Sequence, residues 1–203
     1  MSQDGSAPGA SHSHVLVVAH RGNSHQAPEN TLVSYREALE AGADLGECDV
    51  HLSADGAVVL MHDRTVYRTT DGEGEVQALT LEELRKLDAG SWKSEAYAGE
   101  PVPTLAELLA QHAEDEMQIV VEIKAPGIAE QVVEVIRAEG AVDRVVCFSF
   151  DRPTIDAVAA LEPGIPCFWL TSRIPEDPVE MRGVVNGARA SGLAGLSVNW
   201  KAV

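Results

Sequence analysis

Positive charge is scarce in this chain. Fifteen lysines and arginines stand against 32 acidic residues, for a formal net charge of -17. Nucleic acid and anionic membrane surfaces bind through basic patches, so both are disfavoured as partners. A small anionic substrate is not, because a bound cation or a local Arg or Lys can reverse the sign inside one pocket. Cysteine is also scarce. Cys48, Cys147 and Cys167 are odd in number, scattered and without zinc-finger spacing, which argues against a disulfide framework. All three lie in apolar, strand-like runs, and a buried structural thiol is the reading for Cys48. No apolar run approaches the roughly 20 residues of a transmembrane helix, so no transmembrane segment is expected. The opening MSQDGSAPGASHSH has neither a basic n-region nor an apolar core, so it does not read as a signal peptide. Residues 1–14 read as a disordered tail, residues 15–203 as one domain, and the protein as cytoplasmic. A Gly-rich phosphate loop after the first strand is missing, which weakens a nucleotide-binding reading. There is no internal repeat.

What is present is an alternation of apolar strands and amphipathic helices. Val15 to Ala19 is an all-apolar run, as expected for a strand buried on both faces, and it ends on His20-Arg21-Gly22. Pro28-Glu29-Asn30-Thr31 opens a helix with the stripe Leu32, Tyr35, Leu39 and a stop at Gly42. Leu45 begins a second strand, which turns at Ser53-Ala54-Asp55-Gly56 and returns to His62-Asp63. Arg64 to Pro103 breaks the rhythm. It is polar and Gly-rich at first, then gives a short helix with a Thr80–Glu83 capping box and a stop at Gly90. Thr104 and Glu107 repeat that spacing ahead of a main-fold helix. Strands then begin at Gln118, Arg144, Ile165 and Leu193, the last reaching Asn199, with helices between them, one starting at Pro153 and one at Asp177-Pro178. This pattern means an α/β fold with parallel strands.

The chemistry-bearing residues fall at or near strand C-termini. Glu47 and Asp49 are two apart on one strand, so they share a face, and Cys48 points the other way. Two carboxylates on one face repel unless something cationic is shared, and a hard divalent ion prefers oxygen ligands. The bland alternative for this hairpin is a solvated acidic edge. Glu122 and Lys124 again sit two apart; His20 and Arg21 follow the first strand, and His62 ends the hairpin. Taken singly, a His after a strand is more often structural and a Glu-x-Lys is usually an ion pair. Together, at ends that converge in a (β/α) barrel, they point to one site. In an open sheet they would be spread along an edge.

The ordered run HRG…PENT, E-x-D with a DG turn, HD followed by RTT-x-GEG, PTL-x-EL, EIK and SFD resembles the glycerophosphodiester phosphodiesterase family, from about Val15 onward. The resemblance implies a TIM (β/α)8-type barrel with a small insertion after the second strand, matching about 64–103. It implies metal-dependent hydrolysis of glycerophosphodiesters to glycerol 3-phosphate and an alcohol. By motif, Glu47, Asp49 and Glu122 would bind Mg²⁺ or Ca²⁺, His20 and His62 would be acid and base in either order, and Arg21 and Lys124 would hold the phosphate. An amidohydrolase-type barrel would need His12-Ser13-His14 at the site, yet that pair precedes the first strand. A lyase of the phospholipase type, acting on a lipid headgroup, would use the same two histidines and metal. Six core strands are counted where an eight-stranded barrel has about 250 residues, so the barrel reads as truncated after its sixth strand. Its open edges would then invite self-association, or leave a barrel that only binds ligand.

Overall fold

The structure is a computed structural model and describes residues 15–172 and 175–198. The expected disordered tail, with His12 and His14, lies outside the described residues, as does Asn199. Among the described residues, seven strands and six α-helices follow in order: β1 (Val18–His20), α1 (Leu32–Glu40), β2 (Leu45–Leu52), β3 (Val58–Leu60), α2 (Leu81–Leu84), α3 (Leu105–Gln111), β4 (Gln118–Ile123), α4 (Ala129–Ala138), β5 (Val145–Ser149), α5 (Arg152–Leu161), β6 (Cys167–Thr171), α6 (Pro178–Ala190) and β7 (Gly195–Val198).

Six strands pair in parallel in the order β1-β2-β4-β5-β6-β7, and β3 returns antiparallel on the far end of β2. This is a curled parallel sheet, a half-barrel, and among the described residues β1 and β7 are each paired on one side only. Strand alternation sorts the side chains. Cys48 and Val50 of β2, Val121 and Ile123 of β4, and Cys147 of β5 join the main core, which α3, α4 and α5 cover with Leu105, Leu108, Val132, Ile136, Ile155 and Val158. All three cysteines are buried free thiols. The intervening positions, Glu47, Asp49, Val120 and Glu122, face the other way, toward the barrel interior.

Local signals fix the ends of these elements. Both capping boxes form: Thr80 and Glu83 open α2, and Thr104 and Glu107 open α3. Each N-cap contributes about 1 kcal/mol. Asp151 caps α5 and Asp177 caps α6, with Pro in the first turn of each. The SFD motif is accounted for here, since Ser149 Oγ–H donates to the Ile123 carbonyl and Asp151 Oδ2 accepts from Thr154.

Two expectations are corrected. The run Val15 to Ala19 is not buried on both faces: Val15, Leu16, Val17 and Val18 are 79%, 62%, 54% and 50% exposed, because β1 lies at the sheet edge. The helix after Thr80 ends at Leu84, short of Gly90. Asp88 ends that turn by accepting from the N–H groups of Gly90, Ser91 and Gly99. The segment from β3 to α3 builds its own small apolar cluster of Val59, Met61, Val66, Val76, Leu84, Ala89 and Val102.

Candidate functional site

Register assembles the site. His20 of β1 lies opposite Glu47 of β2, and Asp49 of β2 lies opposite Glu122 of β4. Neighbouring strands are about 4.8 Å apart, so same-face residues in register must meet. The carboxylate oxygens of Glu47, Asp49 and Glu122 accordingly come within 4.8 Å of one another. Glu47 and Asp49 are buried, 6% and 0% exposed.

Cations flank the trio. Lys124 Nζ donates to Glu122 at 2.8 Å and stands 3.4 Å from Asp49 Oδ1. Arg21 Nε is 3.3 Å from Asp49 Oδ2, and the Arg21 backbone N–H donates to Glu47 Oε2 at 2.9 Å. His20 Nε2 is 3.9 Å from the same Glu47 oxygen. Arg21 reaches this position through a left-handed backbone, φ 60°, followed by Gly22 at φ 77°. A side chain at Gly22 would collide with Ser34, so the HRG turn requires its glycine.

The compensation is incomplete. Among the described residues, Glu47 Oε1, Asp49 Oδ1 and Arg21 Nε are buried with no hydrogen-bond partner. Burial, and then the charge of Asp49, push Glu47 up to about 8. Buried polar atoms are otherwise almost always satisfied. Three converging carboxylates, two of them with an unbonded buried oxygen, form an all-oxygen donor set that fits a hard divalent cation.

His62 stands at the end of the hairpin with Nδ1 2.6 Å from Asp63 Oδ1. It lines a cavity of about 650 Å³ with Lys124, His51, Arg64, Gln77 and Ile128. That cavity adjoins the carboxylate trio without including it. His51 shares the interior face of β2 and bonds the His62 carbonyl at 3.3 Å, and burial lowers its pKa.

The residues expected at the site are thus placed: His20, Arg21, Glu47, Asp49, Glu122 and Lys124 in one contact group, and His62 on the adjoining cavity. The sequence assigns no role to three further residues, Asn30, Glu29 and Arg68, that brace this group. Asn30 Nδ2 donates to Asp49 Oδ2 at 2.9 Å, while its Oδ1 accepts from the Asp49 N–H and from the Tyr35 hydroxyl. Glu29 accepts from both Arg21 and Arg68. Glu29 and Asn30 lie within the quoted PENT motif and Arg68 within RTT. Position in those motifs was the available signal; the contacts needed the fold.

A curled parallel sheet with its polar groups gathered at the strand C-termini is the architecture of the (β/α)-barrel proteins, whose active sites lie at that end. Comparison narrows that class. The chain belongs to the glycerophosphoryl diester phosphodiesterase family, which it matches over residues 20–195. It is 42% identical over 153 residues to a glycerophosphodiester phosphodiesterase of Caldanaerobacter subterraneus subsp. tengcongensis, covering 73% of this chain and 63% of that one. It is 41% identical over 125 residues to glycerophosphodiester phosphodiesterase 1 of Homo sapiens, covering 61% and 37%. The chain therefore spans less than two thirds of the length of these relatives. Among solved structures, it resembles an Oleispira antarctica phosphodiesterase in complex with the product sn-glycerol-3-phosphate, with TM-score 0.83, 35% identity, and coverage of 93% and 76%. A glycerophosphodiester phosphodiesterase from Agrobacterium tumefaciens gives TM-score 0.73 at 31% identity, covering 91% and 86%.

Proposed function

We propose that this chain hydrolyses glycerophosphodiesters to glycerol 3-phosphate and an alcohol. The observation that carries the reading is the carboxylate trio, with Glu47 Oε1 and Asp49 Oδ1 buried and unbonded, flanked by Arg21 and Lys124. Glu47, Asp49 and Glu122 would hold Mg²⁺ or Ca²⁺; the donors are oxygens, and no cysteine faces the site to recruit a softer ion. A divalent ion there supplies Lewis-acid stabilisation of charge on the phosphoryl oxygens. Arg21 and Lys124 add fixed positive charge beside the same position, an electrostatic contribution of several kcal/mol. His20 and His62 act as the proton-transfer pair. His20 lies beside Glu47, and burial and Arg21 lower its pKa, which favours the neutral, proton-accepting ring. Proton transfer by such groups contributes about 10²–10⁴-fold.

The Oleispira antarctica complex with sn-glycerol-3-phosphate supports the substrate class. Three unpaired, buried thiols support a reducing compartment, the cytoplasm. No described helix is long and apolar enough to cross a membrane. We read residues 15–203 as one domain, with about 64–103 inserted after the second strand; the separate apolar cluster there supports this. The edges of β1 and β7 that are unpaired among the described residues are where further barrel strands, or a second copy of the chain, would pair.

The test is incubation with glycerophosphocholine and Mg²⁺ or Ca²⁺, followed by assay of glycerol 3-phosphate. Release that stops in EDTA, and falls by orders of magnitude in His20→Ala and His62→Ala chains that still bind metal, supports the reading. Release undiminished in either variant removes that histidine from the proton-transfer pair. A cyclic phosphate as the sole end product would make the protein a lyase.

A further inference from the structure

Arg68 lies in the polar segment after β3, and its side chain is 43% exposed. It makes four hydrogen bonds to two carboxylates. Nε and Nη2 donate to Asp63 at 2.7 and 3.2 Å, and Nη1 and Nη2 donate to Glu29 at 2.9 and 2.8 Å. An isolated exposed ion pair contributes little, but bidentate geometry and a network change that. Beyond each carboxylate stands a residue of the proposed site. Asp63 Oδ1 meets His62 Nδ1 at 2.6 Å, and Glu29 Oε1 accepts from Arg21 Nη1 at 3.0 Å.

We propose that Arg68 is a positioning residue that fixes His62 and Arg21 at once, through Asp63 and Glu29. The inference rests on reading His62 as a proton carrier. A carboxylate can only accept, so His62 Nδ1 must carry the hydrogen of their bond. In the neutral ring Nε2 is then the free base, the nitrogen left for substrate. Arg68 keeps Asp63 in the accepting state: its hydrogen bonds hold that carboxyl at about 2. On the other side, Glu29 Oε1 takes one N–H from each guanidinium, so Arg21 and Arg68 are set around a single oxygen. Burial works against the Glu29 carboxylate, and its bonds to Arg68 and Arg21 outweigh it. The unbroken line of contacts is His62, Asp63, Arg68, Glu29, Arg21, Asp49.

The experiment reads tautomer and rate together. Long-range ¹H–¹⁵N correlation of the His62 ring in the unaltered chain should show hydrogen on Nδ1 and a bare Nε2. In Arg68→Ala the signals should move toward a tautomer mixture. Glycerophosphodiester turnover should fall about 10²-fold, the scale of a roughly 1 Å misplacement. Millimolar guanidinium should restore part of it, because the vacated position opens to solvent. Arg68→Lys should recover less than guanidinium, since an ammonium cannot bridge two carboxylates with paired N–H groups. Hydrogen on His62 Nε2 in the unaltered chain would overturn the inference. So would Arg68→Ala with unchanged ring signals and unchanged turnover. If Arg68→Ala does not fold, the unaltered chain and Arg68→Lys decide by the same ring signals. If the unaltered chain releases no glycerol 3-phosphate from any glycerophosphodiester, the functional reading falls, and the tautomer still judges the role of Arg68.

Discussion

Asn30 grips Asp49 twice. Its amide nitrogen donates to Asp49 Oδ2 at 2.9 Å and its amide oxygen accepts from the Asp49 N–H at 3.2 Å. The same oxygen accepts from Tyr35, whose hydroxyl lies 3.1 Å from the Glu47 carbonyl. One side chain therefore orients the central carboxylate and ties it to α1. Asn30 sits at φ 56°, a conformation that Asn tolerates better than most residues.

Asn30→Ala should accordingly be costly. It strands the Asp49 carboxylate oxygen and amide, and adds strain at a left-handed position. Each stranded buried group costs about 1–3 kcal/mol, so a total near 3 kcal/mol is expected. Urea denaturation of metal-free protein measures it. A loss below about 0.5 kcal/mol, the level of an ordinary surface change, would mean that Asn30 does not support the site.

How far the sequence carried the reading depends on range. Glu47 and Asp49 were legible as a same-face pair because strand alternation is local. So were the Thr80 and Thr104 capping boxes. That Asp49 would lie opposite Glu122 was expected only as convergence at strand ends; the register itself depends on pairing across some 70 residues. For the same reason the sequence marks Asn30 and Arg68 only by their place in PENT and RTT, and not by what they touch. Asn30 works through a left-handed turn, and Arg68 spans from Asp63 to Glu29, a carboxylate 39 positions earlier. Val15 to Val18 are exposed although the run is all apolar, because apolar composition records burial in a complete sheet, whereas exposure depends on which neighbours pair with the strand.

Metal binding and the Glu47→Gln change should each raise stability, but not additively. In metal-free protein the buried trio is under-compensated, so Glu47→Gln should raise the melting temperature. Mg²⁺ or Ca²⁺ should raise it in the unaltered chain, by mass action on the folded state, and much less in Glu47→Gln. Differential scanning fluorimetry with and without EDTA reads both. Equal metal-induced shifts in the two proteins would sever Glu47 from the cation site.

The Arg68 network should leave an acid signature. Asp63 is held at about 2, below its ordinary value of 3.8, and Glu29 is held below 4.5. Depressed carboxylates contribute stability that is fully present above their unfolded values and is lost as pH falls through the folded ones. The unaltered chain should therefore lose this share between about pH 4.5 and 2. Arg68→Ala should be less stable at pH 6 and converge with the unaltered chain toward pH 2. Parallel stability curves over that window would show that the network contributes nothing to folding.

The edge strand gives the last test. Among the described residues β1 pairs with β2 alone, through Val18 to His20. The Val17 N–H is held by the Asp44 side chain at 2.7 Å and not by a neighbouring strand. Its apolar side chains are at least half exposed from Val15 to Val18. By contrast β4 lies between two strands and is buried at Ile119 and Val121. Local opening should therefore cost far less at β1 than at β4, and amides from Val15 to Ala19 should exchange orders of magnitude faster than those of Ile119 to Ile123. The same exposure makes β1 a template for pairing with another chain. If so, protection of Val15 to Ala19 should rise with protein concentration, and Leu16→Lys should abolish the rise while shifting sedimentation toward monomer. Strong protection at Val15 to Ala19 in a dilute monomer would show that this edge is covered within a single chain.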